Sequence, residues 1–120
     1  MRDPEKLRAF ELADKLALLV YQETAGFPRE EQFGLVSQMR RAAVSGASNI
    51  VEGCARETLT EYVRFLNIAY GSVRELEYQA SLAQRLGFLD KYSELISLSI
   101  ETAKVLNGLI RSLKKSNSAK

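Results

Sequence analysis

The run Leu35 to Arg56 constrains this chain more than any other segment, because as a helix it has no side suited to open water. Gln38, Arg41, Ser45, Asn49, Glu52 and Arg56 follow one another at steps of three, four, four, three and four. Residues at those spacings share one face of an α-helix. Beside that polar column, Leu35, Met39, Ala42, Gly46, Ile50 and Gly53 form an apolar stripe. Val36, Val44, Ala47 and Val51 take up much of the remaining circumference. The pattern predicts a helix packed on more than one side, with a polar ladder that needs partners.

The rest of the chain reads as helix too. Its two prolines, Pro4 and Pro28, leave the remainder uninterrupted. Phe10, Ala13, Ala17, Val20 and Thr24 recur at helical steps, predicting a first helix over about 7–25 that Gly26 ends in a left-handed conformation. Pro28 is suited to open the second helix, over about 29–55, with Glu30 and Glu31 complementing its dipole. Thr58-Leu59-Thr60-Glu61 reads as a capping box that starts a third helix over about 59–86, closed by Leu86-Gly87. Asp90 is a candidate cap for the fourth, over about 90–114, and 116–120 read as a flexible polar tail. Four helices joined by short turns predict one all-α domain over 1–120, an antiparallel up-down-up-down bundle. Small residues Gly34, Ala42, Ala43, Gly46 and Gly53 on helix two, and Ala69, Gly71 and Ser72 on helix three, invite close helix approach.

Composition narrows function. The chain has no histidine, which excludes imidazole acid–base catalysis, nucleophile–histidine dyads and histidine-ligated metals. A di-iron bundle needs Glu-x-x-His motifs and so is excluded as well. Glu75 and Glu77 diverge on a helix, and Glu94 and Glu101 read as solvated. No glycine-rich phosphate loop follows a strand. The single cysteine, Cys54, lies among small residues and reads as an inert buried thiol. The five tyrosines read as core-edge packers. The expectation is therefore no catalytic residue, no cofactor and no metal. One unpaired cysteine, a charged N-terminus and no long apolar stretch lead to the expectation of a cytoplasmic protein without membrane contact.

Three sets of residues remain as candidate sites. The polar column, with Arg40 and with Glu75 and Glu77 from helix three as counter-charges, reads as a buried structural network. Val36, Val44, Ala47 and Val51 are surplus to a single core stripe and read as a subunit interface. Lys104, Arg111, Lys114 and Lys115 are candidate contacts for RNA or DNA, although a net charge of +2 and a pI near 8.8 make the chain only mildly basic.

Two longer strings carry a family resemblance. The first comprises Phe27-Pro28, Phe33-Gly34-Leu35, Gln38-Met39-Arg40-Arg41-Ala42-Ala43-Val44-Ser45, Asn49-Ile50-Val51-Glu52-Gly53 and Arg56. The second runs from Phe65-Leu66-Asn67-Ile68-Ala69-Tyr70 through Gly71-Ser72-Val73-Arg74-Glu75-Leu76-Glu77. With these motifs the chain, from about Phe10 to Leu113, resembles the four-helix-bundle proteins encoded in intervening sequences of bacterial 23S ribosomal RNA genes, sometimes labelled S23 ribosomal proteins. It departs from them at Ser45-Gly46-Ala47, where the family has a serine-isoleucine-proline-like stretch, and at Val51, where it has alanine. Without that proline, helix two is expected to be straighter. The resemblance implies a ring, typically a homopentamer with a central channel. A distant relative, the accessory protein of diversity-generating retroelements, implies a second role as an adaptor that docks a protein partner such as a reverse transcriptase.

Overall fold

The computed structural model describes residues 2–118. Four helices follow a short 3-10 turn at Pro4–Lys6: α1 (Arg8–Thr24), α2 (Leu35–Cys54), α3 (Leu59–Arg85) and α4 (Leu95–Ser118). A second 3-10 turn, Arg29–Glu31, lies between α1 and α2, and no strand occurs among the described residues. The helices pack as an up-down-up-down bundle 51 Å long and 20 Å across. Leu16 and Val20 of α1, Met39 and Ile50 of α2, Leu66, Val73 and Leu76 of α3, and Leu95 and Leu106 of α4 form its fully buried axis. Each recurs at three- or four-residue steps or their multiples, which turns it to the same side of its helix.

The ends of the helices follow local chemistry. Thr58 caps α3, its hydroxyl accepting from the Glu61 amide at 3.1 Å. The capping box is only half formed, because the Glu61 carboxylate turns to Arg64 at 3.0 Å. Gly87, at φ 83°, closes α3: its own amide reaches the Gln84 carbonyl and the Phe88 amide reaches that of Ala83 at 2.9 Å. This is the Schellman pattern, and it needs a residue without a Cβ at that φ.

Several expected boundaries move. Gly26 has no left-handed φ; the chain leaves α1 through a turn in which the Phe27 amide donates to the Thr24 carbonyl, burying Phe27 against Phe88. Pro28 opens the 3-10 turn rather than α2, which starts seven residues later, at Leu35 after Gly34. Asp90 caps a turn at Tyr92, and α4 starts only at Leu95, whose amide donates to the Ser93 hydroxyl. That hydroxyl donates in turn to Glu23 of α1 at 2.6 Å, which fixes the start of α4 against α1. At the other end, α4 continues through Ser118, so the first part of the expected tail is helical; 119 and 120 lie outside the described residues.

The seam between α2 and α3 is the most extensive in the bundle. A Cβ on Gly46 would stand 3.1 Å from a Val73 methyl, and one on Gly53 would stand 3.0 Å from the Phe65 Cβ and 3.2 Å from the Tyr62 ring. Those two glycines set the spacing. Gly71, also within a helix, has nothing within 4 Å, and Gly34 lies outside α2, so neither takes the close-packing role expected of it. The two classes predict opposite outcomes. Gly53→Ala overpacks the seam and is expected to lower unfolding free energy by about 1–3 kcal/mol. Gly71→Ala only gains helix propensity and is expected to raise it by up to about 1 kcal/mol. Chemical denaturation of the two variants distinguishes them.

Candidate interaction surfaces

Arg40 and Arg41 are neighbours in sequence and diverge by about 100° around α2. Arg40 turns to α1. Its Nε donates to the Thr24 hydroxyl at 3.0 Å, a second nitrogen reaches the Tyr21 carbonyl at 3.4 Å, and the guanidinium stacks 4.5 Å from the Tyr21 ring. Thr24 passes its own proton to the Val20 carbonyl at 2.6 Å. The group thus satisfies carbonyls in the last turns of α1 with a cation, where the helix dipole favours one.

Arg41 turns the other way and is exposed, as are Gln38, Glu52 and Arg56. The expected buried ladder is therefore corrected. These side chains lie on the outer edge of the α2–α3 seam, where long polar groups reach water, and among the described residues none of them forms an ion pair. Glu75 is exposed beside Gln38 and Arg41 in a small cleft, and Glu77 pairs with Arg74 at 3.3 Å. Neither supplies the counter-charge expected of it.

The short members of the column turn to the seam, and Ser45 crosses it. Asn49 donates to the Ser45 hydroxyl at 3.1 Å and to the Ser45 carbonyl at 2.8 Å. Ser45 and Ser72 share a bond of 2.8 Å, and Ser72 donates to the Ile68 carbonyl at 3.1 Å. A hydroxyl has one proton, so Ser45 must donate to Ser72. The result is a one-way relay from α2 into α3.

The expected interface residues also divide. Val36 is core, at 6% exposed, because it lies within the arc of Met39 and Ala43. Ala47 is half-buried, whereas Val44 and Val51 are each 43% exposed. Alongside them α1 exposes Leu18 (60%) and Tyr21, and the α1–α2 connection holds Phe33 at 92% exposed. An open cleft of about 580 Å³ runs among Tyr21, Phe33, Val36, Arg40 and Val44. Sequence periodicity does not single out Leu18, Tyr21 and Phe33 as interface residues. A signal for Leu18 exists all the same: it falls out of phase with Leu12 and Leu16, yet is as apolar as they are.

Lys104, Arg111, Lys114 and Lys115 are all exposed on α4, and none is in an ion pair among the described residues. Cys54 is buried beside Tyr62, and burial pushes its thiol up from the usual range. Burial also pushes the Tyr62 phenol up to about 12. Among the described residues, no helix is long and apolar enough to cross a membrane.

Two measurements check these assignments. Arg41→Met is expected to change unfolding free energy by no more than about 0.5 kcal/mol, while Arg40→Met costs about 1–2 kcal/mol by removing the bond to the buried Thr24 hydroxyl and the stacking on Tyr21. Tyr62 has a folded pKa above the unfolded value of about 10, so its contribution is intact below pH 10 and is lost as pH rises toward 12. Absorbance titration is expected to show a phenol ionising near pH 12 that Tyr62→Phe removes.

Comparison with known proteins agrees with this architecture. No curated protein is significantly similar to the chain. A solved structure of a protein of unknown function from the S23 ribosomal protein family of Bacteroides thetaiotaomicron superposes with a TM-score of 0.76. It is 23% identical, and the match covers 86% of this chain and 95% of that one. The family model described as 23S rRNA-intervening sequence protein matches residues 5–108, and the chain belongs to that family.

Proposed function

We propose that this chain is a non-catalytic, self-assembling bundle of the cytoplasm that binds nucleic acid. The observation that carries the reading is the set of apolar side chains that α1, α2 and their connection expose: Leu18, Tyr21, Phe33, Val44 and Val51. Isolated apolar side chains are ordinary on a protein surface, but several on two packed helices and the turn between them favour an interaction surface. A second copy of the chain is the occupant that needs no other gene product. A closed ring, five-membered in line with the family resemblance, would cover the flank on every subunit. The absence of histidine, the exposure of Glu75 and Glu94 and the pairing of Glu101 with Arg8 at 2.9 Å support a role without chemistry.

For nucleic acid, the support is the exposed group Lys104, Arg111, Lys114 and Lys115, whose charges are not neutralised by ion pairs among the described residues. Assembly would repeat that group and raise the local positive potential. A protein-docking scaffold, for an enzyme such as a reverse transcriptase, is the second reading. The cleft of Tyr21, Phe33, Arg40 and Arg41 favours it, since an aromatic beside two guanidiniums suits an acidic, apolar segment of another protein.

Light scattering with and without a mixed RNA pool tests assembly and binding together. The expected result is an oligomer at micromolar concentration whose mass rises with RNA at low salt and falls back as salt is raised. Val44→Glu with Val51→Glu is expected to give a folded monomer, because both side chains already face water in the single chain. A monomeric wild type sinks the assembly reading.

A further inference from the structure

One end of the bundle gathers the N-terminal segment, the turn from α2 to α3 and, by antiparallel register, the last turns of α4. Three arginines there rest on two aromatic rings. Arg2 stands 4.1 Å over Tyr62, while Arg56 and Arg64 stand 5.4 and 4.6 Å over Phe65. Stacking on a ring fixes a guanidinium plane while leaving its edge N–H groups free to donate.

Their charges are not equally available. Arg64 is held by both oxygens of Glu61, at 3.0 and 3.3 Å. Arg2 spends one nitrogen on the Arg56 carbonyl, at 2.8 Å, and has no carboxylate in ion-pair reach among the described residues. The Arg56 guanidinium donates no hydrogen bond among the described residues. Capping of α2 does not account for it, since backbone amides of Ala55 and Arg56 already take the carbonyls of Glu52 and Gly53. Arg2 and Arg56 instead line one open cleft of about 600 Å³ with Ala55 and Glu57. Pinning the N-terminal segment explains one donor of Arg2 and none of Arg56.

We propose that Arg2 and Arg56 form a phosphodiester-binding cleft at this end of the bundle, through which a nucleic-acid strand is gripped by its backbone. Lys114 and Lys115 of α4 lie toward the same end of the bundle. The proposal rests on the nucleic-acid reading above and gives it a location. Guanidinium forks match phosphate oxygens two at a time. Tyr62 is buried and Phe65 is covered by its two arginines, so neither ring is open to stack a base. Recognition at the cleft is therefore of phosphate, without base preference. Glu57 opposes the anion and weakens the grip.

The test is fluorescence anisotropy of a labelled oligouridine strand with the full chain across a salt series, with melting and oligomer size recorded for each variant. In Arg2→Gln/Arg56→Gln, the slope of log affinity against log salt is expected to become shallower by about 1.4, at roughly 0.7 for each single-strand phosphate no longer neutralised. Glu57→Gln is expected to tighten binding at low salt, and Arg85→Gln, at the opposite end of α3, to leave the slope unchanged. Wild-type binding with an unaltered slope in the double variant overturns the cleft and leaves the nucleic-acid reading standing. Absence of wild-type binding at low salt overturns both. If the double variant melts early, Glu57→Gln decides, and an unchanged affinity there overturns the cleft.

Discussion

The structure depends on how closely α2 approaches α3. Gly46 and Gly53 present bare backbone to Val73, Tyr62 and Phe65, at distances where a methyl group would crowd its neighbours. Helix axes brought together in this way let short side chains span the seam, and Ser45 reaches Ser72 where longer residues would hold the helices apart. The relay from Asn49 through Ser45 and Ser72 to the Ile68 carbonyl fixes the register of the pair. A slip by one residue would break the Ser45–Ser72 bond, the member of the relay that joins the two helices, at a cost of about 0.5–1.5 kcal/mol.

The side of α2 away from that seam is less fully covered. The helix is drawn toward α3, and α1 covers only part of what remains. Arg40 ties α1 to α2 near one end of the seam, through Thr24 and Tyr21. Farther along, Val44 and Val51 are left half in water. The exposed flank leaves the single chain with apolar surface that a second surface would remove from water.

Much of the fold is legible in the sequence, because helical periodicity and capping residues act locally. The four helices, the Thr58 cap and the Gly87 stop all follow from residues within a few positions of one another. The errors share a cause. Periodicity shows that Gln38, Arg41, Ser45, Asn49, Glu52 and Arg56 lie on one face, but not whether that face looks inward or along a seam. Whether a polar side chain at such an edge is buried depends on its length: Ser45 and Asn49 are too short to leave, while Arg41 and Glu52 reach solvent. Likewise the sequence pattern pairs Arg40 with α3, whereas it turns to α1, because adjacent residues diverge toward different neighbours and the packing partners are not written locally. The stacking of Arg2 on Tyr62 joins residues far apart in the chain and has no local signal.

The two proposed interaction regions lie on different parts of the molecule and are governed by different physics. The flank of α1 and α2 runs along the rod, whereas Arg2 and Arg56 lie at its end. An assembly that covers the flank leaves the ends open, so self-association and phosphate binding do not compete for surface. Subunits related by a rotation axis along the rods would place the same end of each bundle on one rim. A cleft that holds two guanidiniums and one carboxylate gives a weak field in a single chain, but repetition on a rim sums those fields within a Debye length of one another. In the proposed assembly, covering Leu18, Val44 and Val51 would draw on the hydrophobic effect, which salt does not screen, whereas a grip on phosphate would weaken as counterions compete. On the proposed reading, nucleic-acid affinity would belong to the assembly rather than to the single chain, and it would rise only where the flank had already found its partner.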